Sequence, residues 1–450
     1  MSLLDSLFGW KEIDRIFSDA TAVQRMLDFE SALAAAEADA GAIPQAAATS
    51  IAAQCRAERI DLDALARGGS DAGNLAIPLV KQLTTLVQRA DADAARYVHW
   101  GTTSQDAIDT GLILQIREAL DAIEPELRSL CDSLSNLANQ HRSTAMPART
   151  WLQQAVPSVF GLKAAGWLDA LLRHRTRLQA LRPRVLVLQF GGAVGTLSSL
   201  GSKGLEVTGL LAAKLSLRIP NLPWHSHRDR IAEVGTSLAL LTGTLGKIAR
   251  DISLMMQTEV GEVAEPAAEG RGGSSTMPQK RNPVLCTEIL AAASQVPALA
   301  CTLLTAMPQE HERGVGGWQT EWEVVPQLIG RAGGALRRTR VLIEGLVVDS
   351  TRMRENLAHT QGLIFAEAIT MTLALQIGKP AAYKLVEEAS RNAIASKKHL
   401  REVLAQNPEF SARVTPGELD SLFDPPNYLG AANEFIDRTI ASNKSETGER

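Results

Sequence analysis

Between Pro223 and Pro266 the chain runs without a proline, and the segment DRIAEVGTSLALLTGTLGKIARDISLMMQTEVGEV repeats apolar residues at intervals of three and four. That period gathers apolar side chains on one side of an α-helix. The stretch therefore predicts a single long helix starting near Asp229, whose side chain suits an N-cap. Four more stretches share the pattern: 103–141, in which a second apolar run follows Pro125; about 147–180, with a kink expected at Pro157; 283–307; and 326–346. Helices of this length carry too much apolar surface to stand alone, so they must pack along one another, within the chain or across copies of it. Only 4% of residues are aromatic, and the abundant Ala and Leu lose little on entering a helix. The class expected is all-α, with a central bundle of long helices. One run, VLVLQF at 185–190, has the look of a strand.

At 450 residues the chain has room for about three domains. Shorter helical segments, broken at 41–44 and 68–78, fill residues 1–95. The long helices occupy 96–348. Residues 349–450 hold short helices with turns at Pro408, Pro416 and Pro425-Pro426, then a polar tail, SNKSETGER, expected to fray. There is no internal repeat. With 46 Lys and Arg against 50 Asp and Glu, the charge balance gives no general attraction to nucleic acid or anionic lipid. No uninterrupted apolar run reaches the roughly 18 residues of a membrane helix. The opening MSLLDSLFGWKEIDRIF lacks a cationic start and carries Asp5, so it makes a poor secretory signal. Cys55, Cys131, Cys286 and Cys301 show no CxxC spacing and are expected as reduced, mostly packed thiols in the cytoplasm.

Four segments bear the marks of chemistry. GRGGSSTMPQKRNP (270–283) lies between two predicted long helices. Its glycines allow successive N–H groups to converge on an anion, Ser274 and Ser275 follow at once, and Lys280, Arg281 and Asn282 come next. A serine among such amides beside a cation suits proton transfer through an alkoxide; a flexible Gly-Ser linker has the same composition. HWGTTSQDAIDT (99–110) sets Thr102, Thr103 and Ser104 at a helix start, a cradle for an anion or simply a cap, with His99 upstream to hold a carboxylate or exchange a proton. ARTWLQQAVPS (148–158) puts Arg149 at the start of an apolar helix, as a carboxylate clamp or one half of an ion pair. PQEHERGVGGWQTEWE (308–323) places His311, Glu312 and Arg313 in a Gly-rich connection able to close over a substrate. His225 and His227 have no Cys or carboxylate cluster near them in sequence, so no metal site is expected. GxxxxGK[ST] and strand-borne GxGxxG are both missing.

The run GSSTMPQKRNP (273–283) resembles the signature of the fumarase/aspartase superfamily, and the other three segments follow that superfamily's order. LDFESALAAAEADAGAIP (27–44) and TQGLIFAEAIT (360–370) resemble its adenylosuccinate lyase branch. RTWLQ (149–153), LQFGGAVGTL (188–197), PWHSHRDR (223–230), MPQEHER (307–313) and EWE (321–323) are similar to its bacterial cycloisomerases, which lactonise a carboxylated muconate in protocatechuate breakdown. The resemblance implies a three-domain all-α subunit, a homotetramer, active sites built from three subunits, a small tricarboxylate substrate, and no metal or organic cofactor. It also implies a departure. Where the lyases carry a histidine after a threonine, the general acid for their leaving group, this chain has Trp151. An addition whose nucleophile is the substrate's own carboxylate, an anion of pKa about 4, needs no such acid. The indole then fills space, against a bent substrate or in a core.

Carried over by position, Ser274 is the proton carrier, with Ser275 second. Lys280 and Asn282 bind the carboxylate on which charge accumulates. Thr102, Thr103, Ser104, Arg149 and Arg313 meet the remaining carboxylates, and His99 binds or orients substrate. A fumarate-releasing lyase and an idle helical scaffold are the alternatives.

Overall fold

The computed structural model describes residues 5–267, 272–273, 276–277 and 279–447. The five expected long helices are present. With the long N-terminal helix α1 (Asp19–Asp39) ahead of them, they are α2 (Ser104–Gln140), α3 (Phe160–Val185), α4 (Asp229–Met255), α5 (Val284–Thr305) and α6 (Gly317–Glu344). α2 continues straight through Pro125, and α6 begins nine residues ahead of Pro326. In each, one absent N–H bond is outweighed by the packing of an apolar face.

Two expectations about individual segments of secondary structure fail, as does a third, the frayed tail. The 147–180 segment does not start as a helix: β1 (Ala145–Thr150) and β2 (Gln153–Val159) form an antiparallel hairpin with Pro147 opposite Pro157, and α3 follows it. VLVLQF is not a strand. α3 ends at Val185, and Val187 makes a lone bridge to Arg218. The other paired strands are β3 (Val263–Ala264) and β4 (Val347–Val348), two residues each.

The chain divides into two compact units. One comprises Met1–Leu127, His174–Gly246 and Glu288–Arg338; the other comprises Arg128–Arg173, Lys247–Thr287 and Thr339–Arg450. The first holds a core running from Val23 to Ala94, built on Leu27, Ile51, Leu79 and Leu83. The second holds one running from Leu357 to Leu419, built on Ile369, Leu373, Leu400 and Phe410. The tail is not frayed where it is described. Helix α7 (Ala432–Thr447) includes it, and buried Asn443 donates from Nδ2 to Asp132 Oδ1 at 2.8 Å. α5 is long and apolar enough to cross a membrane, although a third of its most apolar window is buried within the chain. Its Glu288 is paired with Arg338.

Candidate active site

The sequence candidates fall in both units. In the first, everything turns on Asp106. It stands in the first turn of α2 and is fully buried. Its Oδ2 accepts from the Thr103 N–H at 3.1 Å, which is the acidic half of a capping box. The same oxygen accepts from the Thr102 hydroxyl at 3.0 Å and the Gly192 N–H at 2.9 Å. Oδ1 accepts from His225 Nε2 at 2.7 Å, the Gly191 N–H at 3.1 Å and Gln189 Nε2 at 3.4 Å. One carboxylate thus ties the 102–103 segment, the 189–192 loop and the turn before α4 together. The glycines are required here: a Cβ on Gly191 would sit 2.7 Å from Pro223 and 2.9 Å from the His225 ring, while Gly192, at φ +67°, packs against the Gly101 carbonyl.

One turn further along α2, Asp109 is equally buried. It takes Arg228 bidentately (2.7 and 3.0 Å), Gln105 Nε2 at 3.0 Å and Trp318 Nε1 at 2.9 Å. Arg228 reaches on to Glu321 and lies over the Trp224 ring. Burial opposes the Arg228 charge, but Asp109 and Glu321 outweigh it and hold the guanidinium protonated. Burial also raises Glu321, against the pull of Arg228. A buried network of charge-assisted bonds of this kind favours one conformation, although Gln105 Oε1 has no hydrogen-bond partner in it.

His99, at φ +59°, places Nδ1 2.5 Å from Glu30 Oε1 on α1. Burial alone would lower its pKa; Glu30 and then Asp106 reverse this and hold it above the ordinary imidazole value. Thr102 spends its hydroxyl hydrogen on Asp106, which leaves the Thr103 and Ser104 hydroxyls as the donors of that cluster. Arg313 lies in the connection before α6 and donates to the Ala193 carbonyl at 2.8 Å. Next to it, His311 takes φ +45°.

In the second unit Arg149 is on β1. Its guanidinium is bidentate to Glu262 at 2.7 and 2.8 Å; the arginine is 23% exposed and the glutamate 0%. Asn356 Nδ2 adds a third bond to Glu262 at 2.8 Å. The ion pair that the sequence offered as one reading of Arg149 is present, with Glu262 as its partner. The pair joins the hairpin to the segment that leads into 270–283. At the hairpin tip Trp151 and Leu152 have φ of +52° and +66° and exposures of 97% and 75%. Core packing of Trp151 within its own chain is ruled out. Left-handed backbone costs about 1–2 kcal/mol for each non-glycine residue, and such strain concentrates where function holds it.

Ser274 and Ser275 lie outside the described residues, as do Gly270, Arg271 and Pro278. The Asn282 N–H donates to the Gly272 carbonyl at 2.8 Å, and a Cβ on Gly272 would come within 2.9 Å of the Asn282 carbonyl oxygen. Asn282 Nδ2 reaches Gly273 O at 3.4 Å. Buried Glu265 accepts from the Leu285 and Cys286 N–H groups at 3.0 and 2.8 Å, capping α5. Lys280 is exposed.

Sequence reasoning missed Glu30, Asp109, Gln189, Arg228, Glu262 and Glu321 as site-shaping residues. The signal for two of them, Arg228 and Glu321, was present in PWHSHRDR and EWE. His225, weighed only as a metal ligand, serves Asp106 instead.

Comparison with known proteins completes the picture. A family model described as "Lyase" matches residues 11–298, and one described as "Adenylosuccinate lyase C-terminus" matches 362–439. The chain is 54% identical over 424 residues to a 3-carboxy-cis,cis-muconate cycloisomerase of Bradyrhizobium diazoefficiens, covering 94% of each. It superposes on the crystal structure of the 3-carboxy-cis,cis-muconate lactonizing enzyme from Pseudomonas putida with a TM-score of 0.95 at 50% identity, covering 99% of each chain. A fumarate lyase from Mesorhizobium sp. BNC1 matches at TM-score 0.90 and 42% identity, over 96% of this chain and 98% of that one.

Proposed function

Because the chain belongs to the fumarase/aspartase lyase family, we propose that it is an intramolecular lyase interconverting 3-carboxy-cis,cis-muconate and 4-carboxymuconolactone. One carboxylate of the triacid adds to a double-bond carbon and closes the five-membered ring. The electron pair moves onto another carboxylate as an aci-carboxylate, and a proton is delivered to the adjacent carbon. No fragment leaves.

The single observation that carries this reading is Trp151. The position at which the family's lyases keep a proton donor is here an indole, which cannot protonate a leaving group, held on a strained and exposed hairpin tip. The resemblance assigns proton delivery to Ser274 or Ser275, with the alkoxide stabilised by convergent amides and Lys280. Lys280 and Asn282 serve the aci-carboxylate. His99, Thr103, Ser104 and Arg313 serve the other carboxylates, with Thr102 set by Asp106. Arg149 acts through Glu262, fixing the hairpin that bears Trp151. Holding carboxylate and alkene at attack distance supplies much of the rate.

We further propose a homotetramer with sites shared among subunits, in the cytoplasm. The partly uncovered α5, the exposed Leu240 and Leu304, and the bare Trp151 tip support the assembly. The free thiols of Cys55, Cys286 and Cys301 support a reducing compartment. The separate cores at 23–94 and 357–419 support domains at 1–95, 96–348 and 349–450.

Incubating the purified protein with 3-carboxy-cis,cis-muconate tests the proposal: the diene absorbance should fall as the lactone appears. Release of fumarate from adenylosuccinate or argininosuccinate, with muconate untouched, would overturn it in favour of the lyase reading.

A further inference from the structure

The His99–Glu30 contact is built differently from a surface ion pair. The Glu30 side chain is 1% exposed and the His99 side chain 16%. Among the described residues Glu30 Oε2 has no hydrogen-bond partner, and His99 is the one group hydrogen-bonded to this buried carboxylate. An ionised carboxylate accepts and does not donate, so Nδ1 carries a hydrogen. The state of Nε2 then decides what the ring offers. A neutral ring with its hydrogen on Nδ1 presents a lone pair at Nε2, which repels an anion; an imidazolium presents an N–H. Nε2 makes no hydrogen bond to any described residue, and the left-handed backbone at His99 fixes where the ring departs from the chain.

We propose that Glu30 is a positioning residue for the reaction: it fixes His99 through Nδ1 and keeps Nε2–H available as a donor to a carboxylate of the substrate. This rests on the reading of His99 as substrate-binding. The charged groups facing the ring are Glu30 from α1 and Asp106 from α2, the latter already holding His225. Both favour the imidazolium over the loss that burial alone would cause. Glu37, two turns beyond Glu30 on α1, is pushed up to about 9 by burial and then by Glu30. It is therefore uncharged at neutral pH.

The test is the pH dependence of KM and kcat for 3-carboxy-cis,cis-muconate between pH 6 and 8.5, in the parent and in Glu30→Gln, Glu30→Asp and His99→Gln. In the parent, KM should begin to rise only at a higher pH than in Glu30→Gln. In Glu30→Gln, KM should match the parent within a few-fold at pH 6. It should then rise about tenfold per pH unit above about 6.5, the ordinary imidazole pKa, toward the His99→Gln value. Its kcat should change much less. Glu30→Asp keeps the charge and should move the onset of the rise back toward the parent's, at a modestly higher KM. His99→Gln should show a raised KM with no pH dependence.

A Glu30→Gln profile parallel to the parent's, with His99→Gln raising KM, would overturn the role of Glu30 while leaving His99 in the site. Parental KM in His99→Gln would remove His99 from the site and the proposal with it. If Glu30→Gln does not fold, the parent decides: a rise in KM beginning near pH 6.5 would show that Glu30 does not hold the charge.

Discussion

Asp106→Asn is the sharpest structural perturbation the site offers. Each carboxylate oxygen accepts from three donors: His225, Gly191 and Gln189 on Oδ1; Thr102, Thr103 and Gly192 on Oδ2. The asparagine amide must turn its NH2 toward one of these sets, so three donors lose their acceptor and confront another donor. Hydrogen bonds to a charged acceptor contribute about 1.5–3 kcal/mol each. Three at the low end amount to roughly 4–5 kcal/mol, within the ~3–5 kcal/mol typical of removing one member of a buried ionic pair. Domain stabilities lie near 5–15 kcal/mol, so the variant should be severely weakened. Urea titration at one fixed protein concentration, followed by circular dichroism, gives the difference between parent and variant. Turnover should fall with it, because Thr102, Thr103 and the 189–192 loop lose their common anchor. A loss below about 1 kcal/mol with parental turnover would refute the reasoning.

Ser274→Ala should abolish turnover while the oligomer and its helical signal persist; activity within a few-fold of the parent would pass the proton-transfer role to Ser275 or elsewhere. Arg149→Ala leaves Glu262 buried with Asn356 as its side-chain partner and should cost about 3–5 kcal/mol. Unchanged stability with a raised KM would instead make Arg149 a substrate clamp. Glu37 is fully buried, neither of its oxygens has a hydrogen-bond partner, and its carboxyl is raised from 4.5 to about 9. Between those values the folded chain holds a proton that the unfolded chain has released, so stability falls as pH rises, by about 1.4 kcal/mol per unit. Glu37→Gln removes that slope. Relative to the parent it should gain roughly 3 kcal/mol between pH 6 and pH 8 in urea titrations, and parallel profiles would contradict the assignment.

The five long helices were legible because apolar periodicity is a local property that survives Pro125, Pro297 and Pro326. The hairpin was not. Its turn is Trp151-Leu152 in place of the Asn-Gly or Asp-Gly that such turns recruit, and its facing prolines look like punctuation. VLVLQF has strand composition, but its Gln189 and its glycine pair are held by Asp106 some 80 residues earlier. The same distance hid the network. Asp106 was visible as a helix start, whereas its bonds to His225 and Gly192, and those of Arg228 to Asp109 and Glu321, join residues 86 to 119 apart. The frayed tail failed for the converse reason: polar SNKSET supplies Asn443, whose partner Asp132 lies 311 residues away.

The central claim is that the substrate is rearranged and nothing is expelled. Mass spectrometry of the reaction in D2O tests it directly. Each molecule of 3-carboxy-cis,cis-muconate should yield one lactone of the same elemental composition bearing a single deuterium on the carbon beside the ring-closing centre. Two lighter products, or a lactone carrying no solvent deuterium, would contradict it.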